Sequence, residues 1–131
     1  MYSQNPALLW RDIILLAFLY FVTARIGQLF AIPPGNVTPI WIPSGIIVVA
    51  IIYRGFRLWP GIFIGAFAGN IWAYFTTEPE TALYHSLIAA FFNGAGDSLG
   101  AVLGAYLILL KCNTPYPLKR TIHFLYFRAD L

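Results

Sequence analysis

The chain has 131 residues, of which 60% are hydrophobic and 10% charged, and its formal net charge is +3. Soluble domains average about 25% charged residues, and a chain with a mean hydropathy of +0.73 cannot cover itself with polar side chains. The composition therefore excludes most soluble enzymes and indicates that lipid or partner protein contacts most of the surface.

Four apolar segments follow one another at about residues 13–31, 36–53, 58–75 and 82–110, and a fifth begins at residue 121. A helix needs about 20 residues to cross the hydrocarbon of a bilayer, with about 17 as the lower end. The second segment reaches that length only with residues 36–40, which places Pro39 and Pro43 near its start, where proline costs a helix least. The fourth is long enough to tilt, or to break near Gly94 and Gly96. We predict an all-α integral membrane protein, a single domain over residues 1–131 with four transmembrane helices and the start of a fifth.

The basic residues of the connections give the orientation. They lie before the first segment, between the second and third, and after the fourth: Arg11, Arg54, Arg57, Lys111, Lys119 and Arg120. The connections at residues 32–39 and 76–81 contain no basic residue. By the positive-inside rule the N-terminus and the basic connections are cytoplasmic. The first segment could instead be a cleaved signal peptide, but Arg25 interrupts it and no small-x-small cleavage site follows, so we expect a retained helix.

Several other chemistries are not expected. The basic residues form no stripe of the kind that binds nucleic acid. The single Cys112 rules out an internal disulfide. His85 and His123 are isolated in sequence, so we expect no metal site and no cofactor. Residues 96–99 spell Gly-Asp-Ser-Leu, a hydrolase signature, but they lie inside a membrane segment without a partner Asp-x-x-His, and we expect no enzyme.

Polar residues inside the segments are the default candidates for a functional site. Counted at ~1.5 Å per residue from the cytoplasmic ends, Arg25 and Asn70 each lie roughly 18 Å deep and Asp97 about 19 Å. An unpaired charge at that depth costs at least ~2.5–3.5 kcal/mol. We therefore expect Arg25 to pair with Asp97 near the midplane, with Asn70 supplying both a donor and an acceptor.

The predicted ligand- or signal-sensing set extends beyond these three residues. Gln28 shares a helix face with Arg25, and Asn93 shares one with Asp97. Trp41 and Ser44 are added because the adjacent proline and glycine could unwind the helix and expose backbone carbonyls. Two interpretations stay open, since such a cluster either fixes helix register alone or responds to a ligand.

Small residues predict where helices meet. The third and fourth segments carry glycines at four-residue spacing: Gly61, Gly65 and Gly69, then Gly96, Gly100 and Gly104. This spacing lets helix backbones approach closely in lipid. Because the two segments are antiparallel in the predicted topology, the two sets fall in matching register. We expect the third and fourth helices to pack through them.

These residues together resemble the first class of membrane-associated sensor domains, the MASE group. The resemblance rests on Trp-Ile-Pro-Ser-Gly at 41–45, Leu-Trp-Pro-Gly-Ile-Phe at 58–63, Asn70, and residues 93–99 and 103–107. Ile42 stands where the family usually has a second proline. The family domain is about twice as long as this chain, with roughly eight spans followed by an output domain, so the resemblance implies a fragment, a truncated paralogue or a half-domain.

The resemblance implies a multi-pass sensory module of the bacterial inner membrane. In that family the module passes a stimulus to a histidine kinase or to a cyclic-di-GMP enzyme, and no such output domain is encoded in this chain. Expected partners are the lipid bilayer and other transmembrane segments or a second copy. The alternative is a transporter component, such as the substrate-binding subunit of a vitamin uptake system, because midplane polar residues and broken helices suit that role as well. A purely structural membrane subunit is a third interpretation.

Overall fold

A computed structural model describes residues 5–32, 38–77 and 83–112. These ranges form four α-helices, α1 (Pro6–Gln28), α2 (Ile42–Arg54), α3 (Trp59–Thr77) and α4 (Leu83–Cys112), with a single 3-10 turn before α3. The predicted all-helical fold is confirmed for the described part of the chain. The fifth predicted span, from residue 121, lies outside the described residues.

The helix ends differ from the predicted spans for identifiable reasons. Helix α1 begins seven residues earlier than predicted, because the Asn5 side chain accepts a hydrogen bond from the Ala7 amide at 3.0 Å and caps it. Helix α2 begins only at Ile42, with Pro43 in its first turn and Pro39 outside it. Its 13 residues reach about 20 Å, which is less than the ~30 Å of bilayer hydrocarbon. Helix α4 passes through Gly94 without a break.

The surface of the bundle is apolar. Among the described residues, α1 and α4 are long and apolar enough to cross a membrane by length and composition, and α2 is a shorter apolar helix. Large side chains point outward along both long helices, such as Phe18 at 66% exposure and Phe92 at 68%. Soluble monomers rarely expose continuous apolar surface of this kind.

The four helices form a ring in the order α1, α2, α4, α3, in which each helix packs against two neighbours. Contacts along the chain fix the directions. Gly61 lies at Ile13 and Gly69 at Ala24, so α3 runs parallel to α1. Asp12 bonds Arg54 across α1 and α2, so these two helices are antiparallel. The bundle therefore runs up, down, up, down, and its basic connections share one end.

The turn into α3 depends on one glycine. Gly55 has φ 95° and ψ 163°, a conformation that side chains with a Cβ atom rarely adopt. Its amide donates to the Ile51 carbonyl at 2.8 Å, which ends α2. Arg54, directly before it, forms an ion pair with Asp12, in which Nη1 lies 2.9 Å from Oδ2. This ion pair closes the basic end of the bundle and was not anticipated from the sequence.

The glycines of α3 pack against α1 and not against α4 as predicted. A Cβ atom built on Gly61 would lie 2.7 Å from the carbonyl oxygen of Ile13, and one on Gly65 would lie 2.7 Å from that of Ala17. Gly69 is also on this face, with the Ala24 Cβ at 3.3 Å. Helix α3 therefore touches the α1 backbone directly, which is the use of small residues in membrane bundles.

The glycines of α4 do not form the predicted contact either. A Cβ atom on Gly96 or Gly100 would have nothing within 4 Å among the described residues, and one on Gly104 would meet Val48 of α2 at 3.8 Å. The close approach between α3 and α4 is at Gly94, where a Cβ atom would lie 3.2 Å from the Phe63 carbonyl oxygen. The register prediction was wrong because spacing defines a face but not the neighbour that covers it.

A matched pair of alanine substitutions separates the two glycine faces. Gly65→Ala places a methyl group against α1 backbone that cannot yield, and overpacking of this kind costs about 1–3 kcal/mol. Gly100→Ala meets open space and gains helix propensity, so its free energy of unfolding stays equal to wild type or rises. Denaturant titration of the purified protein in mild detergent measures both. Equal losses in the two variants would contradict the described packing.

Candidate functional site

Tyr20 lies at the centre of the bundle with 0% of its surface exposed. Its hydroxyl donates a hydrogen bond to Oδ2 of Asp97 on α4. The same hydroxyl accepts from the indole Nε1 of Trp41, at the start of α2, at 3.2 Å. One oxygen atom thus connects three helices. We call Tyr20, Trp41 and Asp97 the Tyr20 cluster.

Neighbouring backbone positions this cluster. The Tyr20 Cβ lies 2.7 Å from the point where a Cβ of Gly65 would stand, so only glycine there leaves room for the tyrosine. Trp41 is the N-cap residue, directly before α2. Its ring lies along α1 at Gly27, 3.6 Å from where a Cβ atom would be. Gly65 therefore leaves the space that Tyr20 needs, whereas Gly27 is in ordinary van der Waals contact with the Trp41 ring.

The direction of the hydrogen bonds follows from the donors. An indole N–H can only donate, so the Tyr20 oxygen must accept from Trp41 and its own proton must go to Asp97. Asp97 is half-buried on α4, and its Oδ2 atom accepts the hydrogen bond from the Tyr20 hydroxyl. The series runs one way, from Trp41 through Tyr20 to Asp97. Each of these buried polar groups has a partner, as the low-dielectric interior requires.

The predicted ion pair between Arg25 and Asp97 does not form among the described residues. Arg25 donates to the Oε1 atom of Gln28, and its guanidinium lies 5.4 Å from the ring centre of Trp72. A cation over an indole face is attracted by the ring, by about 0.5–2 kcal/mol. Arg25 lies five residues beyond Tyr20, about 7.5 Å further along α1, and so it lies above the level of Asp97.

Gln28 links this second group to α3. Its Nε2 atom donates to the Gly69 carbonyl oxygen at 3.2 Å, and its Oε1 atom receives the Arg25 guanidinium. We call Arg25, Gln28 and Trp72 the Arg25 cluster. It contacts α3 further along the bundle axis than the Tyr20 cluster does. Helix α1 therefore makes polar side-chain contacts to its neighbours at two levels along its axis.

The other predicted site residues contribute no side-chain hydrogen bond to either cluster among the described contacts. Asn70 donates to the carbonyl oxygen of Ala66 on its own helix at 2.8 Å. Asn93 donates to the Tyr74 hydroxyl at 2.8 Å. Ser44 is exposed in the first turn of α2, which is wound and not opened as expected. The structure therefore brings together Trp41 with Asp97 and Arg25 with Gln28, in two groups.

Sequence reasoning missed Tyr20 and Trp72, the residues that complete the two clusters. The available signal was the Tyr20 hydroxyl, because a phenol in the middle of a membrane segment needs a hydrogen-bond partner. No group of three His, Cys, Asp or Glu side chains suited to a metal ion occurs in the described residues.

The family model MASE1 matches residues 12–129, which is most of the chain. No curated protein and no solved structure matches it.

A double-mutant cycle tests the central hydrogen bond. Tyr20→Phe leaves the Trp41 N–H and the Asp97 carboxylate without their shared partner, and we expect a loss of about 1.5–3 kcal/mol in unfolding free energy. Combined with Asp97→Ala, the two changes should be non-additive by at least about 0.5 kcal/mol. Denaturant titration in detergent measures all four proteins. Tyr106→Phe, on the exposed face of α4, is the matched control and should stay within about 0.5 kcal/mol of wild type.

Proposed function

Since this chain belongs to the MASE1 family of membrane-associated sensor domains, we propose that it is the signal-input part of a bacterial two-component or cyclic-di-GMP signalling protein. In this proposal it is not an enzyme and needs no cofactor. It receives a stimulus in the membrane and passes it on as a change in helix packing. A histidine kinase or a cyclic-di-GMP enzyme, on the same gene product or bound to it, gives the output.

The proposal includes a multi-pass arrangement in the inner membrane with the N-terminus in the cytoplasm. Its support is the distribution of charge in the bundle. Arg11, Arg54 and Arg57 lie at the end where α1 begins and α2 meets α3, and Lys111 lies in the last turn of α4 at the same end. Basic residues gathered at one end of an apolar bundle mark its cytoplasmic side.

The observation that carries the proposal is the Tyr20 cluster. One hydroxyl contacts α2 and α4 from the centre of α1. A displacement of any of these helices changes one of its two hydrogen bonds, and an unsatisfied buried group costs about 1–3 kcal/mol. An input that differs in affinity between two helix arrangements by that amount shifts the ratio of their populations by about fivefold or more.

The bilayer and further protein are the proposed partners. The outward face of α4 includes Gly96 and Gly100, where a Cβ atom would meet nothing within 4 Å. Another transmembrane segment or a second copy of the chain is the proposed neighbour of this face. The alternative function, a transporter component, would instead require that a small molecule cross the membrane with this protein.

The topology can be tested with the natural cysteine. Cys112, at the end of α4, should react with a membrane-impermeant maleimide only after the inner membrane is opened. A Thr38→Cys variant in a Cys112→Ser background should react in spheroplasts, because residue 38 precedes α2 at the opposite end. Mass tagging on gels gives the readout. Labelling of both positions from the same side would contradict the proposed arrangement.

The signalling role can be tested on the intact gene product in its native host. Tyr20→Phe should shift basal output, measured as kinase autophosphorylation or cyclic-di-GMP level, by about fivefold or more, because the loss of both hydrogen bonds of its hydroxyl changes an equilibrium by about 1 kcal/mol or more. Asp97→Asn keeps an acceptor oxygen and should shift output less. Tyr106→Phe is the control. Unchanged output in Tyr20→Phe, together with small-molecule uptake by vesicles, would favour the transporter.

A further inference from the structure

A cavity of about 570 Å³ lies between α3 and α4 on the outside of the bundle. Trp59 and Phe63 form its wall on α3, and Phe91, Ala95, Leu99 and Val102 form its wall on α4. Half or more of the surface of Trp59, Phe91 and Leu99 is exposed, so the cavity is an open groove and not an internal void. The Phe91 ring meets that of Phe63 edge to face at 5.5 Å.

The wall of this groove offers almost nothing to a polar ligand. Ser98 contributes the hydroxyl in the wall, and that hydroxyl donates to the Gly94 carbonyl oxygen at 2.8 Å within α4. The remaining surface is aromatic and aliphatic. An occupant must therefore be apolar over the length of the groove.

The groove has the length of one membrane leaflet. From Phe91 to Val102 it follows α4 for eleven residues, which is about 16 Å. Half of the ~30 Å hydrocarbon thickness is about 15 Å. One extended acyl chain of a single leaflet fits this length.

Two basic residues lie toward the end of the bundle at which Trp59 lines the groove. Arg57 precedes Trp59 by two residues in the turn before α3 and is exposed. Of its neighbours, Arg54 is held by Asp12 at 2.9 Å, whereas Arg57 has no ion pair within the described ranges. Lys111 lies at the same end, about 13 Å beyond Val102 along α4, and adds positive potential there. An apolar groove with an exposed arginine two residues before its Trp59 wall is complementary to an anionic phospholipid.

We propose that this groove binds one acyl chain of an anionic phospholipid of the cytoplasmic leaflet, whose phosphate contacts Arg57. The site rests on the proposed function, since it requires that this end of the bundle lie at the cytoplasmic face. The Trp59 indole lies where the acyl chain meets the headgroup, as tryptophan does at membrane interfaces. The bound lipid bridges the outer faces of α3 and α4, so the anionic lipid content of the membrane would act on the bundle.

Quenching by brominated lipids tests the groove. The full chain is reconstituted in phosphatidylcholine vesicles with increasing fractions of brominated phosphatidylglycerol or, in parallel, brominated phosphatidylcholine. The signal of Trp59 is obtained as the difference between wild type and Trp59→Phe. We expect brominated phosphatidylglycerol to reach half-maximal quenching at a mole fraction at least fivefold lower. Equal quenching by the two lipids would overturn the proposal.

Two pairs of variants locate the lipid. Ala95→Phe fills the groove and should abolish the preference for brominated phosphatidylglycerol over brominated phosphatidylcholine. Ala68→Phe adds the same ring on the exposed side of α3, outside the groove, and should keep this preference. Arg57→Gln should lower the preference about fivefold, the effect of one basic residue near an anionic surface. Arg11→Gln, at the same end but held by Asp12, should leave it within twofold. A preference that survives in Ala95→Phe contradicts the site.

The cysteine labelling in cells distinguishes failure of the site from failure of the topology. Labelling of Cys112 only after the membrane is opened, and of Thr38→Cys in spheroplasts, puts the Arg57 end of the bundle at the cytoplasmic face. If this labelling pattern is found and the two lipids quench equally, the lipid site alone is wrong. If it is not found, the proposed topology is wrong. Leu99→Ala, which widens the groove without filling it, should retain the preference and serves where Ala95→Phe fails to fold.

Discussion

A phenol buried in an apolar bundle needs both a donor and an acceptor in a place that water does not reach, and the arrangement of the helices follows from how Tyr20 finds them. Its partners are an indole at the start of α2 and a carboxylate on α4. Helix α2 is a neighbour of α1 in the ring, whereas α4 lies diagonally across from it. The Tyr20 oxygen atom therefore links α1 to both a neighbouring helix and the opposite one.

The position of Tyr20 restricts which residues α3 can have beside it. Because Tyr20 fills the axis of the bundle, the helix behind it must present no side chain at this level, and Gly65 meets that need. The same close approach continues at Gly61 and Gly69, so α3 lies against the α1 backbone over two helical turns. The short α2, which carries Trp41, completes the surroundings of the hydroxyl. Packing and hydrogen bonding are thus two aspects of one constraint.

The helical architecture and the inward position of Asp97 could be predicted from apolar segment lengths and from the cost of a charge in lipid. The partner of Asp97 could not, because depth counted from uncertain span ends carries an error of several residues. Arg25 is only five residues from Tyr20, and an error of that size exchanges one partner for the other. The glycine spacing likewise predicted correctly that one face of α3 packs closely against another helix. It could not predict which helix, because any neighbour that can approach closely fits such a face. The proposed sensing roles of Ser44, Asn70 and Asn93 stay predictions.

The one-way order of the Tyr20 cluster ties its hydrogen bonds to the spacing of the helices. The series begins at an indole N–H that can only donate and ends on a carboxylate oxygen that accepts. Separation of the helices by about 1 Å breaks the series, because a hydrogen bond weakens steeply beyond its normal length. The two hydrogen bonds of the Tyr20 hydroxyl therefore persist only while α1, α2 and α4 keep their spacing.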